Sequence, residues 1–319
     1  MTSPARFEVV AIGNAIVDVI ARADEAFITE RGLAKGSMRL IDTAEAEALY
    51  NDMGPGVEVS GGSAANTLAG MAALGHRCGF IGQVADDQLG KVFTHDLRSV
   101  GVHYETPALA GDAPTARCLI LVTPDGQRTM NTFLGASHLL SSDMIDEALI
   151  ASADILYLEG YLWDPELSRA AMRRAIDIAR RSGGKVAFAL SDAFIIDRHG
   201  DDFRALIADN QFDLLFANEV EICALAQCDD FDAAVAAIAP QVPLLVVTRS
   251  EHGAIAVRDG VTTSVMAEPV AEVVDTTGAG DLFAAGFLSG MARGLSLHDC
   301  LTTGAVCAGA IIAQIGPRA

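Results

Sequence analysis

The feature that most limits how this chain folds is a rhythm: short apolar runs alternate with longer amphipathic stretches. Phe7–Ile12 reads as a strand, and so do 154–158, 185–190, 213–217 and 244–248. Between them, 165–181 reads as a helix, with Leu167, Ala171, Ile176 and Ala179 spaced for one face. Pro165 suits its first turn and Gly183-Gly184 its end. Further helices are expected from about Glu219 and over 232–239. A repeated strand–helix–strand order predicts an α/β fold with a mainly parallel sheet covered on both faces.

Two regions break the rhythm. Residues 20–41 and 104–133 read as β-rich excursions, the second holding the turn Thr123-Pro124-Asp125-Gly126. They predict a small sheet beside the main one, able to act as a lid on a single domain spanning 1–319. No repeat, low-complexity tract or Pro/Ser-rich linker divides the chain.

Charge narrows the ligand classes. The 319 residues include 22 Lys plus Arg against 42 Asp plus Glu, a net charge of −20. Such a chain is a poor partner for nucleic acid or for an anionic membrane surface. With 51% hydrophobic residues it has apolar surface enough to fold, which excludes a disordered chain. No run reaches the roughly 18 apolar residues of a membrane helix. The start lacks the basic segment and small-residue cleavage site of a signal peptide. The six cysteines form no C-x-x-C pair, so buried free thiols and a cytoplasmic setting are expected. A phosphorylated ligand would need local devices: backbone amides, an arginine or two, or a divalent metal.

Five stretches carry candidate chemistry. In Asp275-Thr276-Thr277-Gly278-Ala279-Gly280-Asp281, small residues precede a helical run. The Gly278, Ala279 and Gly280 amides would form an anion hole at a helix N-terminus. Asp281 beside it could take a proton from an attacking hydroxyl; the plainer reading makes it a first-turn acid stabilising the helix dipole. Neither the phosphate-loop pattern G-x-x-x-x-G-K-[ST] nor G-x-G-x-x-G is present here. In the stretch from Ser60 to Ala69, Gly61 and Gly62 open a second helix with Ser63 as N-cap, and Asn66 offers a donor and an acceptor. Asn14 and Asp18 follow the first strand, where open α/β sheets bind ligands, and together could grip vicinal hydroxyls. Asn218 and Glu221 lie three apart and could organise Mg²⁺ through its waters, or simply cap a helix. Thr248 and Gly253 follow another strand and could line a nucleotide pocket, while Arg128 is a candidate clamp on phosphate or substrate. His252 reads as a surface histidine.

These pieces, in this order, resemble the ribokinase-like (PfkB) carbohydrate kinase family over essentially the whole chain. Residues 61–75 look like its first signature, 275–288 like its second, and Asn218 with Glu221 like its N-x-x-E motif. The resemblance implies a three-layer α/β/α core with a sheet of about nine strands and a β-lid, ATP as donor, and Mg²⁺. It makes Asp281 the general base, the 278–280 amides the anion hole, and Asp18, Asn14, Gly62 and Asn66 the acceptor site. Thr248, Gly253 and Thr277 fall near the nucleotide, and a monovalent cation such as K⁺ beside the anion hole, near the Asp275 and Thr277 carbonyls. Within the family the match is best to adenosine kinases, at Gly13-Asn14 with Asp18 and at the stretches 159–162, 190–195 and 216–219. Met38, Leu40, Met130 and Tyr161 would then cover a base. Adenosine is the acceptor so implied, in purine salvage; a free sugar such as ribose or fructose, or another nucleoside, is the alternative. Thr277, where eukaryotic adenosine kinases carry Asn, speaks for the sugar alternative. A non-catalytic binder on the same fold would have no need of Asp281. The partners expected are small molecules, for a monomer or homodimer.

Overall fold

The computed structural model describes residues 6–314 and 316. Its strands in chain order are β1 Phe7–Ile12, β2 Ile16–Arg22, β3 Met38–Leu40, β4 Gly56–Gly61, β5 Cys78–Ile81, β6 His103–Tyr104, β7 Ala116–Val122, β8 Arg128–Phe133, β9 Ala153–Glu159, β10 Lys185–Ala189, β11 Leu214–Asn218, β12 Leu245–Thr248, β13 Ala254–Arg258 and β14 Val261–Val265. Nine of them form one sheet in the order β14-β13-β12-β11-β10-β9-β1-β5-β6. Every pair from β12 to β6 is parallel, as the alternating rhythm requires. The last two strands run antiparallel, joined at Asp259-Gly260, both in the left-handed region.

Both faces of this sheet are covered. One apolar layer holds Trp163, Phe188, Phe203 and Phe212 beneath helices Glu166–Arg181 and Ala193–Ala208. The other holds Phe80, Phe93, Tyr104 and Phe287 beneath helices Ser63–Ala73, Ala279–Ala292 and Leu297–Ile312. A strand buried on both sides must be apolar at every position, and Val9 to Ile12 are fully buried without a break.

The second sheet is ordered β3-β8-β7-β2-β4 and mixes parallel with antiparallel pairs. Side chains alternate across it. Val19, Leu119 and Leu121 pack on Ile28 and Leu49 from helices Glu25–Glu30 and Thr43–Asp52. Ile16, Cys118, Ile120 and Met130 lie on the opposite face, toward the ends of the large sheet's strands.

Several local expectations are corrected. The span 20–41 includes a helix, started by Asp24, whose carboxylate accepts from the Phe27 N–H at 2.8 Å. The small sheet also takes β4, because that strand pairs with β2 along six residues. Tyr104, read with the excursion at 104–133, belongs to the large sheet. Leu167 is 51% exposed, while Ser168, Ala171, Ile176 and Ala179 of the same helix are buried. Pro165 stands one place earlier than expected, as the extended N-cap of that helix. All six cysteines are free, but Cys223, Cys228 and Cys307 are only partly buried. Among the described residues no helix is long and apolar enough to cross a membrane.

Candidate active site

A cavity of about 490 Å³ lies between the carboxyl ends of the parallel strands and the inner face of the small sheet. The carboxyl ends of β9, β11 and β12 supply Glu159, Asn218 and Thr248, and Asn14 stands two residues past the end of β1. Met38, Leu40 and Met130 from the small sheet and Tyr161 from the large-sheet side are among its apolar lining, with Ile16, Ile120 and Phe194. Met38 and Met130 are register partners on β3 and β8, so two flexible thioethers stand side by side.

Two helices start at this cavity. Gly278 caps helix Ala279–Ala292 with φ 79°, a left-handed conformation suited to glycine. A Cβ on Gly280 would meet nothing within 4 Å, so the space before this N-terminus is open. Thr276, Thr277, Gly278, Gly280 and Asp281 line it. The Ala279 amide differs from expectation: it donates to the Thr276 carbonyl at 3.2 Å and closes the turn, and Ala279 is not part of the lining. The amides that remain for an anion are those flanking it.

Asp281 sits in the first turn of that helix, half-buried. Its Oδ1 accepts from Ser63 Oγ at 2.6 Å and its Oδ2 from Asn66 Nδ2 at 3.0 Å. Thr67 Oγ1 donates to its carbonyl at 3.1 Å. These bonds tie the two helix starts together. They also explain why Ser63 is not the cap expected of it: Gly62 holds the N-cap position at φ 94° without a side-chain bond, which frees Ser63 for Asp281.

The start of helix Ser63–Ala73 is filled from within. Glu159, fully buried, accepts at Oε2 from the Ala64 N–H at 2.7 Å. Its Oε1 accepts from both the N–H and the Nδ2 of Asn14, each at 2.7 Å. Burial pushes this carboxyl up to about 7, against those hydrogen bonds and with the Asp281 charge adding to the rise. Asp18 is buried beside Gly61, where a Cβ would come within 2.5 Å of its carboxylate. Gly61 therefore makes room for Asp18 and does not itself line the cavity.

Asn218 and Glu221 form a reciprocal capping box. Asn218 Oδ1 accepts from the Glu221 N–H at 2.9 Å, and the Glu221 carboxylate accepts from the Asn218 N–H at 3.0 Å and from Nδ2 at 2.6 Å. Burial, then the nearby Asp192 charge, raises Glu221 to about 7. Both residues line the cavity, as does Thr248.

Two expected contacts fall elsewhere. Arg128 is paired with Asp275 at 2.6 Å, the two side chains 8% and 2% exposed. It does not line the cavity; it fastens the first residue of β8 to the loop before the anion-facing helix. The Asp275 carboxylate also accepts from the N–H groups of Thr277 and Gly316, each at 2.9 Å. That carboxylate is thus filled by a guanidinium and two amides. Gly253, at φ 84°, is a turn glycine whose Cβ would lie 2.0 Å from the Val265 carbonyl, away from the cavity.

Six carboxylates line the cavity: Asp18, Glu159, Asp164, Asp192, Glu221 and Asp281, with no Lys or Arg among the described lining residues. An uncomplexed polyphosphate would be repelled here except at the open helix start. Among the described residues no group of three or more His, Cys, Asp and Glu forms a ready metal cage. The donors present suit a cation held through waters, with Glu221 and Asp192 nearby. Glu159, Ser63, Asp164 and Asp192 escaped the sequence reading as site residues. The rule that singled out Asn14, a polar residue ending an apolar strand, would have found Glu159.

Comparison with known proteins bears on this geometry. The model of the pfkB family of carbohydrate kinases matches residues 7–319. The crystal structure of an adenosine kinase from Sinorhizobium meliloti is 48% identical and superposes with a TM-score of 0.93, covering 99% of this chain and 96% of that one. A probable sugar kinase from Rhizobium etli is 46% identical, with the same TM-score and coverage. A fructokinase from Klebsiella pneumoniae is 29% identical over 81% of this chain and 85% of its own length.

Proposed function

Because this chain belongs to the pfkB family of carbohydrate kinases and so is a phosphotransferase acting on hydroxyl groups, we propose that it phosphorylates the 5′-hydroxyl of adenosine with ATP as donor. The observation that carries this reading is the pairing of Asp281, at an open helix start, with an apolar slot of Met38, Leu40, Met130 and Tyr161 in the same cavity. A free hexose or pentose has no use for such a slot, whereas a purine does. The acidic lining favours a neutral acceptor over an anionic sugar phosphate.

In this reading Asp18, Asn14 and Asn66 hold the ribose with its primary hydroxyl toward Asp281. Ser63 and Asn66 fix the Asp281 carboxylate, which takes the hydroxyl proton as the oxygen attacks phosphorus. The Gly278 and Gly280 amides face the charge that develops on the transferred group. Mg²⁺ supplies charge neutralisation to the donor phosphates when bound. Asn218 and Glu221 would hold it through waters, and Thr248 and Thr277 lie toward the nucleotide. The small sheet acts as a lid on the single domain and excludes water as it closes. The setting proposed is purine salvage in the cytoplasm, by a monomer or homodimer.

Steady-state kinetics test the substrate. kcat/KM for adenosine is expected to exceed that for ribose and fructose by at least tenfold. A free sugar turned over faster than adenosine would overturn the choice of acceptor and leave the reaction class standing.

A further inference from the structure

Glu159 is a buried acid that the proton transfer does not use. It lies at the end of β9, with no exposed surface. Space is kept for it: a Cβ on Gly13 would come within 2.5 Å of its Oε2. Its two oxygens take three donors, and one of them is the side-chain amide of Asn14. Each oxygen already accepts from a backbone N–H, Oε1 from Asn14 and Oε2 from Ala64, so the carboxyl meets the Asn14 side chain as an acceptor and the NH₂ turns toward it. The other end of that amide is then determined. Asn14 is 4% exposed and lines the cavity, and its Oδ1 is a buried acceptor with no hydrogen-bond partner in the structure. A buried acceptor left unpaired is costly, and it strongly favours a ligand that brings a hydrogen to it.

We infer that Glu159 is a positioning residue that sets the polarity of the acceptor site: it commits Asn14 Nδ2 inward, so that Asn14 Oδ1 accepts from a secondary hydroxyl of the ribose. The site then discriminates by hydrogen donation at this point. A sugar ring with hydrogen in place of that hydroxyl leaves Oδ1 buried and unpaired. This inference rests on the nucleoside reading of the site. It goes beyond it in assigning the selectivity to a residue two bonds removed from the ligand.

The test is a double-mutant cycle read on substrate discrimination. kcat/KM is measured for adenosine, 2′-deoxyadenosine and 3′-deoxyadenosine in the wild type, Glu159→Gln, Asn14→Ala and the double variant. The wild type is expected to disfavour at least one deoxy analogue by tenfold or more. Asn14→Ala and Glu159→Gln should each reduce that ratio severalfold, and the double variant should reduce it no further, because Glu159 acts through Asn14. A role in stability alone would lower all three substrates alike and leave the ratio where it was. Wild-type discrimination retained in folded Glu159→Gln, or losses that multiply in the double variant, would overturn the inference. If Glu159→Gln does not fold, Glu159→Asp withdraws the carboxylate while keeping its charge and is expected to lower the same ratio. Asn14→Ala with wild-type discrimination overturns the inference whichever Glu159 variant is available. Failure of the wild type to phosphorylate adenosine would instead overturn the substrate reading, and the cycle would then be run on deoxy forms of the sugar that is turned over.

Discussion

Two helices begin at the cavity behind glycines, and they are used in opposite ways. At helix Ser63–Ala73 the first-turn amide of Ala64 is taken by an internal carboxylate, Glu159. At helix Ala279–Ala292 no carboxylate of the described residues is recorded on the first-turn amides, and a Cβ on Gly280 would meet nothing within 4 Å. A helix start attracts negative charge in either case. What differs is whether the fold brings its own anion or leaves the position for a ligand. The filled start is a fixed wall that orients Asn14, Ser63 and Asn66. The open start is where the proposed reaction would place the phosphoryl group, and Asp281 bonds to Ser63 and Asn66 of the other helix.

The largest effect should come from the residue at their junction. Asp281→Asn is expected to lower kcat by roughly 10² to 10⁴ while the protein stays folded, measured by a coupled assay of ADP release. A fall of less than tenfold would remove Asp281 from the role of base. Next comes the clasp that shapes the open start. Arg128→Met leaves Asp275 buried without its cation and should destabilise the protein by roughly 3 kcal/mol or more in chemical denaturation. An unchanged midpoint would mean that the amides of Thr277 and Gly316 suffice for Asp275.

The glycines themselves give the sharpest contrast. Gly62→Ala would place a Cβ 2.2 Å from the Asn14 carbonyl at φ 94°, and roughly 2–4 kcal/mol of stability should be lost. Gly280→Ala meets open space at a helical position, so stability should change by less than about 1 kcal/mol. Comparable losses in the two variants would break the distinction between a filled and an open start.

The smallest effect is one of pH. Glu159 and Glu221 are both held at about 7 in the folded protein, above the ordinary carboxyl value of 4.5. A carboxyl raised in this way binds more protons folded than unfolded between those two values. Its stabilising contribution is complete below pH 4.5 and is lost as pH rises through 7. Glu221→Gln cannot titrate, so its melting temperature should gain on the wild type as pH is raised from 5 to 8. A pH-independent difference between the two would contradict the raised value.

Much of this was legible in the chain. Strands buried on both faces had to be continuous apolar runs, and β1 was read at its observed bounds. Gly278, Gly280 and Asp281 stood out because small residues before a helix have few other uses. Asn218 and Glu221 were readable because a capping box depends only on residues three apart. Other features were hidden because their partners are distant in sequence. Ser63 looked like an N-cap by local rules, and its true partner lies 218 residues away. Arg128 looked like a free cation for a ligand until the fold set Asp275 against it, 147 positions on. The Ala279 amide was lost to a turn that no spacing rule reveals.

By itself the sequence determined the layer order, the strand ends that open on the cavity and the two glycine-bounded helix starts. These follow from periodicity, backbone freedom and caps, all of which act over a few residues. Only the tertiary structure decided which helix start is filled, which carboxylates are buried and which cation is spent on an internal pair. Those outcomes depend on groups brought together across the whole chain, where burial changes the strength of every charge and hydrogen bond. Glu159 shows the division: as a letter it ends a strand, and as a buried carboxylate between Asn14 and Ala64 it orients the site.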